Sequence, residues 1–251
     1  MKKIATTFSG GSYSLKMSQI RLEDQLKKYF DGVAAFDENH PSIIQLMHSY
    51  PDVFKYRRGY GYWAWKPFVI KQTLDAVNEG DFVFYMDSGN DIISDPEPLY
   101  DLCSNNNGFM LFENRSGNPN GEIWNNREWT KKDCFTLMDC DTPDFVNGPQ
   151  IDGAYQLYQK NKDTVKFVNE YLQYCLDPRI VTDEPNTTGD NYSTFVDHRH
   201  DQSVASLLCL KYNIKTFPEP SEVGNINPQI RSKYGYDQIF LHHRGTIYGR
   251  R

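Results

Sequence analysis

The chain has 251 residues, which is an ordinary length for one large α/β domain that buries roughly 75% of its unfolded surface. Its content of 39% hydrophobic and 14% aromatic residues predicts a globular fold around one sizeable core. The formal net charge of −6, with no run of lysine or arginine longer than two, excludes a general nucleic-acid binder, because binding to a phosphate backbone needs a basic face.

The five cysteines are an odd number and form no C-x-x-C pair, so the sequence predicts neither a zinc ribbon nor a disulfide framework. We therefore expect a reduced protein in the cytoplasm. The few apolar residues before Gly10 and Gly11 are too short a run for a secretory signal or a membrane span.

Apolar periodicity predicts the following elements in chain order. A strand at 3–8, a helix at about 15–29 and a strand at 33–36 form a β-α-β opening, followed by a helix at 65–78 and strands at 82–86 and 108–112. Helices are expected at about 150–161, 164–176 and 202–212, short strands near 215 and 239, and irregular loops at 114–129 and 186–197. No repeat or linker divides the chain. The pattern predicts a single α/β domain with a mainly parallel sheet flanked by helices.

The clearest local signal is a polar cluster, Asp87, Ser88 and Gly89, directly after the continuous apolar run 82–86. A run of this kind is typical of a strand that is buried on both faces of a parallel sheet. Ligands bind beyond the carboxyl ends of such strands, so Asp87 is well placed to hold a cation. The alternative is that Asp-Ser-Gly is only a turn.

A second signal is the segment 59–67, GYGYWAWKP, in which glycines permit close backbone approach and aromatic rings offer stacking surfaces. Lys66 stands at the start of a helix, where its charge opposes the helix dipole, and this predicts an anion nearby. In the alternative interpretation Trp63 and Trp65 are core residues and Lys66 is a solvated charge.

Two further polar groups follow later in the chain. The segment 198–203, HRHDQS, places polar side chains at the start of an apolar helix, although Asp201 could also be no more than a helix cap. Its histidines lack the partners of a zinc site. Near the end, His242 and His243 follow an apolar segment and are candidate metal ligands, whereas Arg250 could be only part of a solvated tail.

In this order, the motifs resemble glycosyltransferases of the GT-A fold, which is related to the Rossmann fold. The segment 59–67, the run that ends in Tyr85-Met86-Asp87-Ser88-Gly89 and the segment 198–203 look most like a bacterial and large-virus group with an Asp-x-Gly motif. The resemblance implies a nucleotide-sugar-binding half over 1–113 and an acceptor and catalytic half over 114–251, within one domain spanning 1–251.

The resemblance also implies roles for individual residues. Asp201 and Gln202 are expected to be catalytic, and Trp124 and Trp129 to bind the acceptor. The expected donor-binding residues are Phe8, Ser9, Tyr62, Lys66, Asp87, Ser88, Gly89, His200 and Arg244. Asp87, His242 and His243 are expected to hold Mn²⁺ or Mg²⁺, more weakly than an Asp-x-Asp motif would. In the alternatives that stay open, Asp91 is recruited as a ligand or no metal is needed. Gly89 stands where the second aspartate of Asp-x-Asp is usual, and Tyr248 stands where a phosphate-gripping lysine is usual, so Arg250 or Lys66 would take that duty.

The implied function is transfer of a hexose from a UDP-sugar to a glycan or other hydroxyl acceptor, in polysaccharide biosynthesis. The implied reaction retains the configuration at the anomeric carbon. Two alternatives stay open. Gly89 and the tryptophans at 124 and 129 would also suit a catalytically idle carbohydrate-binding module on a degenerate transferase fold. A metal-dependent phosphohydrolase is the other alternative, although its motifs usually place two aspartates at the strand end.

Overall fold

The computed structural model of the chain describes residues 1–115, 122–222 and 232–242. The strands are β1 (Lys3–Ser9), β2 (Gly32–Asp37), β3 (Phe82–Met86), β4 (Asn90–Ile92), β5 (Phe109–Glu113), β6 (Ile151–Gln159), β7 (Phe217–Pro218) and β8 (Phe240–His242). The helices are α1 (Tyr13–Leu26), α2 (Pro41–Ser49), α3 (Pro51–Phe54), α4 (Gly59–Tyr62), α5 (Trp65–Ala76), α6 (Glu97–Asn105), α7 (Asn126–Trp129), α8 (Lys132–Leu137), α9 (Pro143–Val146), α10 (Lys162–Cys175), α11 (Pro178–Val181) and α12 (Asp201–Lys211).

Six strands form the central sheet in the order β2-β1-β3-β6-β5-β7. The pairs β1–β2, β1–β3 and β5–β7 are parallel, whereas β6 is antiparallel to both β3 and β5. Five strands therefore run in one direction and β6 runs against them. The predicted class, one α/β domain with a mainly parallel sheet between helices, is confirmed.

The predicted helix at 150–161 is wrong, because this segment is the central strand β6. The strand lies between β3 and β5 and is buried along most of its length, so the alternation that marks a half-exposed strand is missing. A short apolar run without alternation does not distinguish a buried strand from a buried helix. Buried Gln156 is accommodated because its Oε1 accepts a hydrogen bond of 2.7 Å from Tyr158 Oη.

The other predicted strands and helices are present, with bounds that differ by a few residues. The short helices α2, α3, α6, α8, α9 and α11 were not predicted, because each offers too few turns to show a period. Within the predicted loop 114–129, residues 116–121 lie outside the described part of the chain and α7 forms the end. The second predicted loop, 186–197, contains no helix or strand.

The core consists of two apolar clusters, one on each face of the sheet. Strand β3 contributes to both: Val83 and Tyr85 belong to one cluster, and Phe84 and Met86 belong to the other. This arrangement explains the uninterrupted apolar run of β3, because neither face of the strand meets water. All five cysteines are buried and unpaired. None of the helices in the described part of the chain combines the length and apolar character that a membrane crossing requires.

Candidate active site

A cleft of about 750 Å³ lies at the carboxyl edge of the central sheet. Its floor is built from Ser9 at the end of β1, from Asp87 directly after β3, and from Asp152, the second residue of the reversed strand β6. The backbone N–H of Asp87 donates to the carbonyl of Ala154 at 3.0 Å, which holds these two segments side by side. The ends of neighbouring parallel strands meet at one edge, and this is where α/β sheets bind ligands.

Asp87 is the carboxylate at this edge that is most open to the cleft, with 36% of its side chain exposed. It begins a turn in which the N–H of Asn90 donates to the Asp87 carbonyl at 3.2 Å. Its Oδ1 accepts a hydrogen bond from Tyr85 Oη and lies 3.5 Å from Lys66 Nζ. Both interpretations of the motif therefore hold locally, since the turn presents Asp87, Ser88 and Gly89 to the cleft.

Lys66 is buried and forms the centre of an ionic network beneath the cleft. Its Nζ lies 2.9 Å from Asp201 Oδ2 and donates to the carbonyl of Gly153 at 3.0 Å. Burial alone would lower the pKa of Lys66, but the carboxylates of Asp201 and Asp87 outweigh it and raise the pKa, so the ammonium stays charged. The alternative of a solvated lysine is wrong, and the anions beside Lys66 are the protein's own carboxylates.

Asp201 and Gln202 lie in the first turn of α12, and both line the cleft. Asp201 Oδ2 also accepts from Tyr171 Oη at 3.0 Å, and only 4% of the Asp201 side chain is exposed. The Gln202 amide donates to Gln150 Oε1 at 3.0 Å and accepts from the N–H of Gly153 at 3.2 Å. The two predicted catalytic side chains are therefore held rigidly, each by partners from distant segments.

Another wall of the cleft is a left-handed helical turn. All five residues from 59 to 63 have φ between 52° and 86°. The N–H of Trp63 donates to the carbonyl of Gly59 at 3.1 Å, and Trp65 Nε1 donates to the same carbonyl at 2.9 Å. A left-handed turn costs roughly 1–2 kcal/mol for each residue other than glycine, and such strain collects at functional sites. The two glycines reduce this cost, and Tyr60 and Trp63 line the cleft.

His200 packs against this turn, with its ring 4.7 Å from that of Tyr62 and 5.5 Å from that of Trp63. It also has a positive φ, of 55°. Its Nδ1 donates to the Val181 carbonyl at 2.8 Å. Burial lowers the pKa of His200 to about 4, so the ring is neutral near pH 7 and its Nε2 is left as an acceptor.

Of the predicted donor-binding residues Phe8, Ser9 and Tyr62, the first two line the cleft and the third does not. Phe8 and Ser9 line it, with Phe8 stacked on Trp65 at 4.0 Å and Ser9 Oγ donating to Gln19 Oε1 at 2.7 Å. Tyr62 does not line it and is buried behind His200.

The two tryptophans predicted to bind an acceptor stack on each other, with ring centroids 4.0 Å apart and planes 16° apart. Trp124 lines the cleft and Trp129 lies behind it. The guanidinium of Arg199 lies 4.8 Å from the Trp124 ring and 4.6 Å from the Trp129 ring. These residues form one rim of the cleft, beside Asp201.

Sequence reasoning missed several residues that line the cleft. Arg57 is exposed at the cleft, and within the described residues no carboxylate lies at ion-pair distance from it. Arg58 is already paired, with Asp183 at 2.7 Å and Asp197 at 2.9 Å. The sequence could have indicated this site through two adjacent arginines in a loop. Only the fold shows that Arg58 is ion-paired and that Arg57 faces the cleft.

Two of the three expected metal ligands, Asp87 and His242, both line the cleft. In the described part of the chain, His242 groups with Asp152 and Glu219, and Asp87 is not a member of this group. His243 and Arg244 lie outside the described residues, as do Tyr248 and Arg250. Burial, and next the Asp152 carboxylate, raise the pKa of Glu219 well above its ordinary value. Sequence reasoning gave no role to Asp152 or Glu219.

A scan against protein-family models finds no match for this chain, and a search of the curated proteins finds none either. Among solved structures it is similar to a glycosyltransferase involved in the glycosylation of the major capsid of PBCV-1, at 10% identity and a TM-score of 0.47, over 97% of this chain and 95% of that chain. It is also similar to the bifunctional glycosyltransferase WbbM in its apo form, at 12% identity and a TM-score of 0.47, over 96% of this chain and 45% of that chain. A third similar structure is the apo-form glycosyltransferase GlyE of Streptococcus pneumoniae TIGR4, at 13% identity and a TM-score of 0.46, over 98% of this chain and 55% of that chain. The chain therefore spans about half the length of the last two proteins.

Proposed function

We propose that this chain is a glycosyltransferase of polysaccharide biosynthesis in the cytoplasm. In this proposal it transfers a hexose from a UDP-sugar to a hydroxyl of a glycan or other acceptor, with retention at the anomeric carbon. The observation that carries the proposal is the composition of the cleft. One space combines an open turn at Gly10 and Gly11, the aromatic wall of Tyr60 and Trp63, and the exposed charges of Arg57 and Asp87.

Each part of the cleft suits one part of a nucleotide-sugar. The aromatic rings offer flat surfaces to a base, and the guanidinium of Arg57 can bind a phosphate through paired hydrogen bonds. In the reaction the bond from the anomeric carbon to the diphosphate oxygen breaks and the bond to the acceptor oxygen forms. The acceptor proton passes to the departing phosphate. A divalent cation bound beside the diphosphate would neutralise the charge that develops on it.

The state of Asp201 supports retention. An inverting reaction needs a carboxylate that can take the acceptor proton. Asp201 Oδ2 is held by Lys66 and Tyr171 and the side chain is almost fully buried, so it has little access to an acceptor hydroxyl. Its fixed negative charge beneath the cleft suits a different duty, which is to stabilise positive charge on the sugar ring.

A carbohydrate-binding module without catalysis is the second candidate. It is favoured by one observation, namely that Lys66 lies between Asp87 and Asp201 and partly neutralises both. Such a module would bind a sugar or a nucleotide-sugar but would not turn it over.

The test combines binding and turnover on the full chain. Melting temperatures are measured with UDP and with GDP, each with and without Mn²⁺, since a ligand at 100 times its Kd stabilises the folded state by about 2.7 kcal/mol. Hydrolysis of a panel of UDP-hexoses is followed in parallel for the chain, for Asp87→Asn and for the control Asp37→Asn. Asp37 also ends a strand of the sheet but does not line the cleft.

We expect stabilisation by UDP and hydrolysis of at least one donor, lost in Asp87→Asn and kept in Asp37→Asn. The sugar first released should have the anomeric configuration of the donor, as NMR can show. Binding without hydrolysis of any donor would favour the carbohydrate-binding module. No stabilisation by either nucleotide would contradict the transferase and any module that binds a nucleotide-sugar.

A further inference from the structure

Three side chains that could bind a metal ion lie together where β8 ends at His242. We propose that Asp152, Glu219 and His242 form a divalent-cation site for Mn²⁺, in place of the ligand set Asp87, His242 and His243. The ligand atoms of the three residues all lie within 4.8 Å of one another, and His242 Nε2 lies 3.3 Å from Glu219 Oε1. Two atoms bound to one ion at about 2.2 Å each lie at most about 4.4 Å apart, so a small contraction brings all three to bonding distance.

The burial of this group calls for a positive charge. Glu219 is fully buried and Asp152 is 6% exposed. No lysine or arginine among the described residues lies within ion-pair distance of either carboxylate. A buried carboxylate is ordinarily paired, bound to a metal or protonated, because an isolated charge is costly to remove from water, and a cation between Asp152 and Glu219 would let both carry their charge.

An unpartnered atom points to the same conclusion. Glu219 Oε1 accepts from Ser221 Oγ at 2.6 Å, but in the described segments no donor group reaches Glu219 Oε2, and the neighbouring side chain is the Asp152 carboxyl, a second acceptor. A buried oxygen left in this state costs about 1–3 kcal/mol and indicates a missing water or ion.

The surroundings of His242 favour metal binding through Nε2. Its other nitrogen, Nδ1, lies 3.4 Å from Glu222 Oε1, on the side away from Glu219. Metal-bound histidines usually direct their second nitrogen at a carboxylate, which fixes the ring and the tautomer. Two carboxylates with one imidazole suit Mn²⁺ better than Ca²⁺ or Mg²⁺, which prefer oxygen ligands alone.

The site adjoins the Asp-x-Gly motif. Strand β4 follows the motif directly, and its first residue, Asn90, pairs with His242 across the β4–β8 ladder. Asp152, Asn90 and His242 all line the cleft. Glu219 and Asp152 would thus replace the second aspartate of an Asp-x-Asp motif, whose position is occupied by Gly89. The role of the ion in transfer rests on the proposed function, whereas binding of the ion does not.

The experiment is a Mn²⁺ titration of the full chain without nucleotide, in which electron paramagnetic resonance reports the free ion. The variants are Glu219→Gln, Asp152→Asn and Asp87→Asn, and the control is Glu79→Gln. Glu79 is exposed and precedes β3, at the opposite end of that strand from the cleft. Thermal melts establish that each variant is folded. Asp152→Asn serves as the second readout if Glu219→Gln does not fold.

We expect one Mn²⁺ to bind, with affinity reduced more than about tenfold by Glu219→Gln and by Asp152→Asn. Asp87→Asn and Glu79→Gln should change it less than about threefold. The inference is overturned if no Mn²⁺ binds at millimolar concentration, or if Asp87→Asn weakens binding more than the other two. Mn²⁺ binding without donor turnover would contradict only the proposed function, and turnover without Mn²⁺ binding only this inference.

Discussion

At the scale of single residues, Lys66 and Arg57 have different roles: Lys66 is a buried structural charge, and Arg57 is the exposed charge that can bind a ligand. Arg250 or Lys66 was expected to bind the donor diphosphate. Arg250 lies outside the described residues, and the Lys66 ammonium is held by Asp201 and Asp87 beneath the cleft. Arg57 carries the exposed charge at the same cleft. Removing one partner of a buried pair leaves the other charge uncompensated, whereas removing an exposed charge leaves the fold intact.

Two substitutions separate these duties. Lys66→Met should lower the free energy of unfolding by about 3–5 kcal/mol, because Asp201 would be left buried without a counter-charge. Arg57→Ala should leave stability unchanged and weaken UDP binding by at least about tenfold, because its paired charge-assisted hydrogen bonds to a phosphate are lost. Urea unfolding and calorimetric titration measure the two effects. The control is Arg179→Ala, an arginine paired with Asp177 away from the cleft. Equal effects of Lys66→Met and Arg57→Ala on stability would contradict this division.

At the scale of elements, the left-handed turn at 59–63 is the least ordinary part of the molecule. L-residues avoid this conformation because Cβ crowds the following carbonyl. Here the turn is held by its own backbone hydrogen bonds and by the packing of Trp63 on His200. A Cβ at Gly61 would lie 2.4 Å from the Phe54 ring, so glycine is required there for space as well as for φ.

A series of glycine-to-alanine changes tests this account. Gly61→Ala should be the most destabilising, since it combines a φ of 86° with the Phe54 contact. Gly80→Ala has a similar φ of 85° but meets nothing within 4 Å, so it should cost about 1 kcal/mol from φ alone. Gly89→Ala has neither obstacle and should be close to neutral. Urea unfolding gives the order, and a Gly61→Ala variant as stable as Gly80→Ala would contradict it.

At the scale of the whole molecule, buried histidines make stability depend on pH. His198 Nε2 donates to the Ile180 carbonyl at 2.8 Å while its Nδ1 accepts from the N–H of Lys131 at 3.3 Å. A proton added to His198 Nδ1 would therefore point at the N–H of Lys131, which is itself a donor. Burial lowers the pKa of both His198 and His200, so the folded chain resists protonation that the unfolded chain accepts from pH 6.5 downward.

Since these folded pKa values are depressed, the stability they protect is present above pH 6.5 and is lost as pH falls. For His200, with a pKa of about 4, the loss accumulates between pH 6.5 and about 4 and reaches roughly 3 kcal/mol. The double variant His198→Gln, His200→Asn should flatten this dependence, and the control His48→Gln, an exposed histidine, should not. Urea unfolding from pH 7.5 to 4 measures it. An unchanged slope in the double variant would refute the assignment.

The sequence by itself determined the elements whose signal is local. The run Phe82–Met86 and its polar end at Asp87, the opening β-α-β unit and the helices α5, α10 and α12 follow from periodicity, because that pattern reflects which face each residue buries. Asp87, Lys66, Asp201 and His242 were also singled out from the sequence, and all four line one cleft.

Only the tertiary structure decided the direction and place of β6, the pairing of Lys66 with Asp201, and the meeting of Asp152 with Glu219 and His242. The physical reason is the same in each case. A buried central strand loses its alternation, and the charge state of a side chain depends on neighbours from distant parts of the chain. The sequence predicted that a strand ends at Asp87, but it did not predict the contacts of Asp87 with Tyr85 and Lys66.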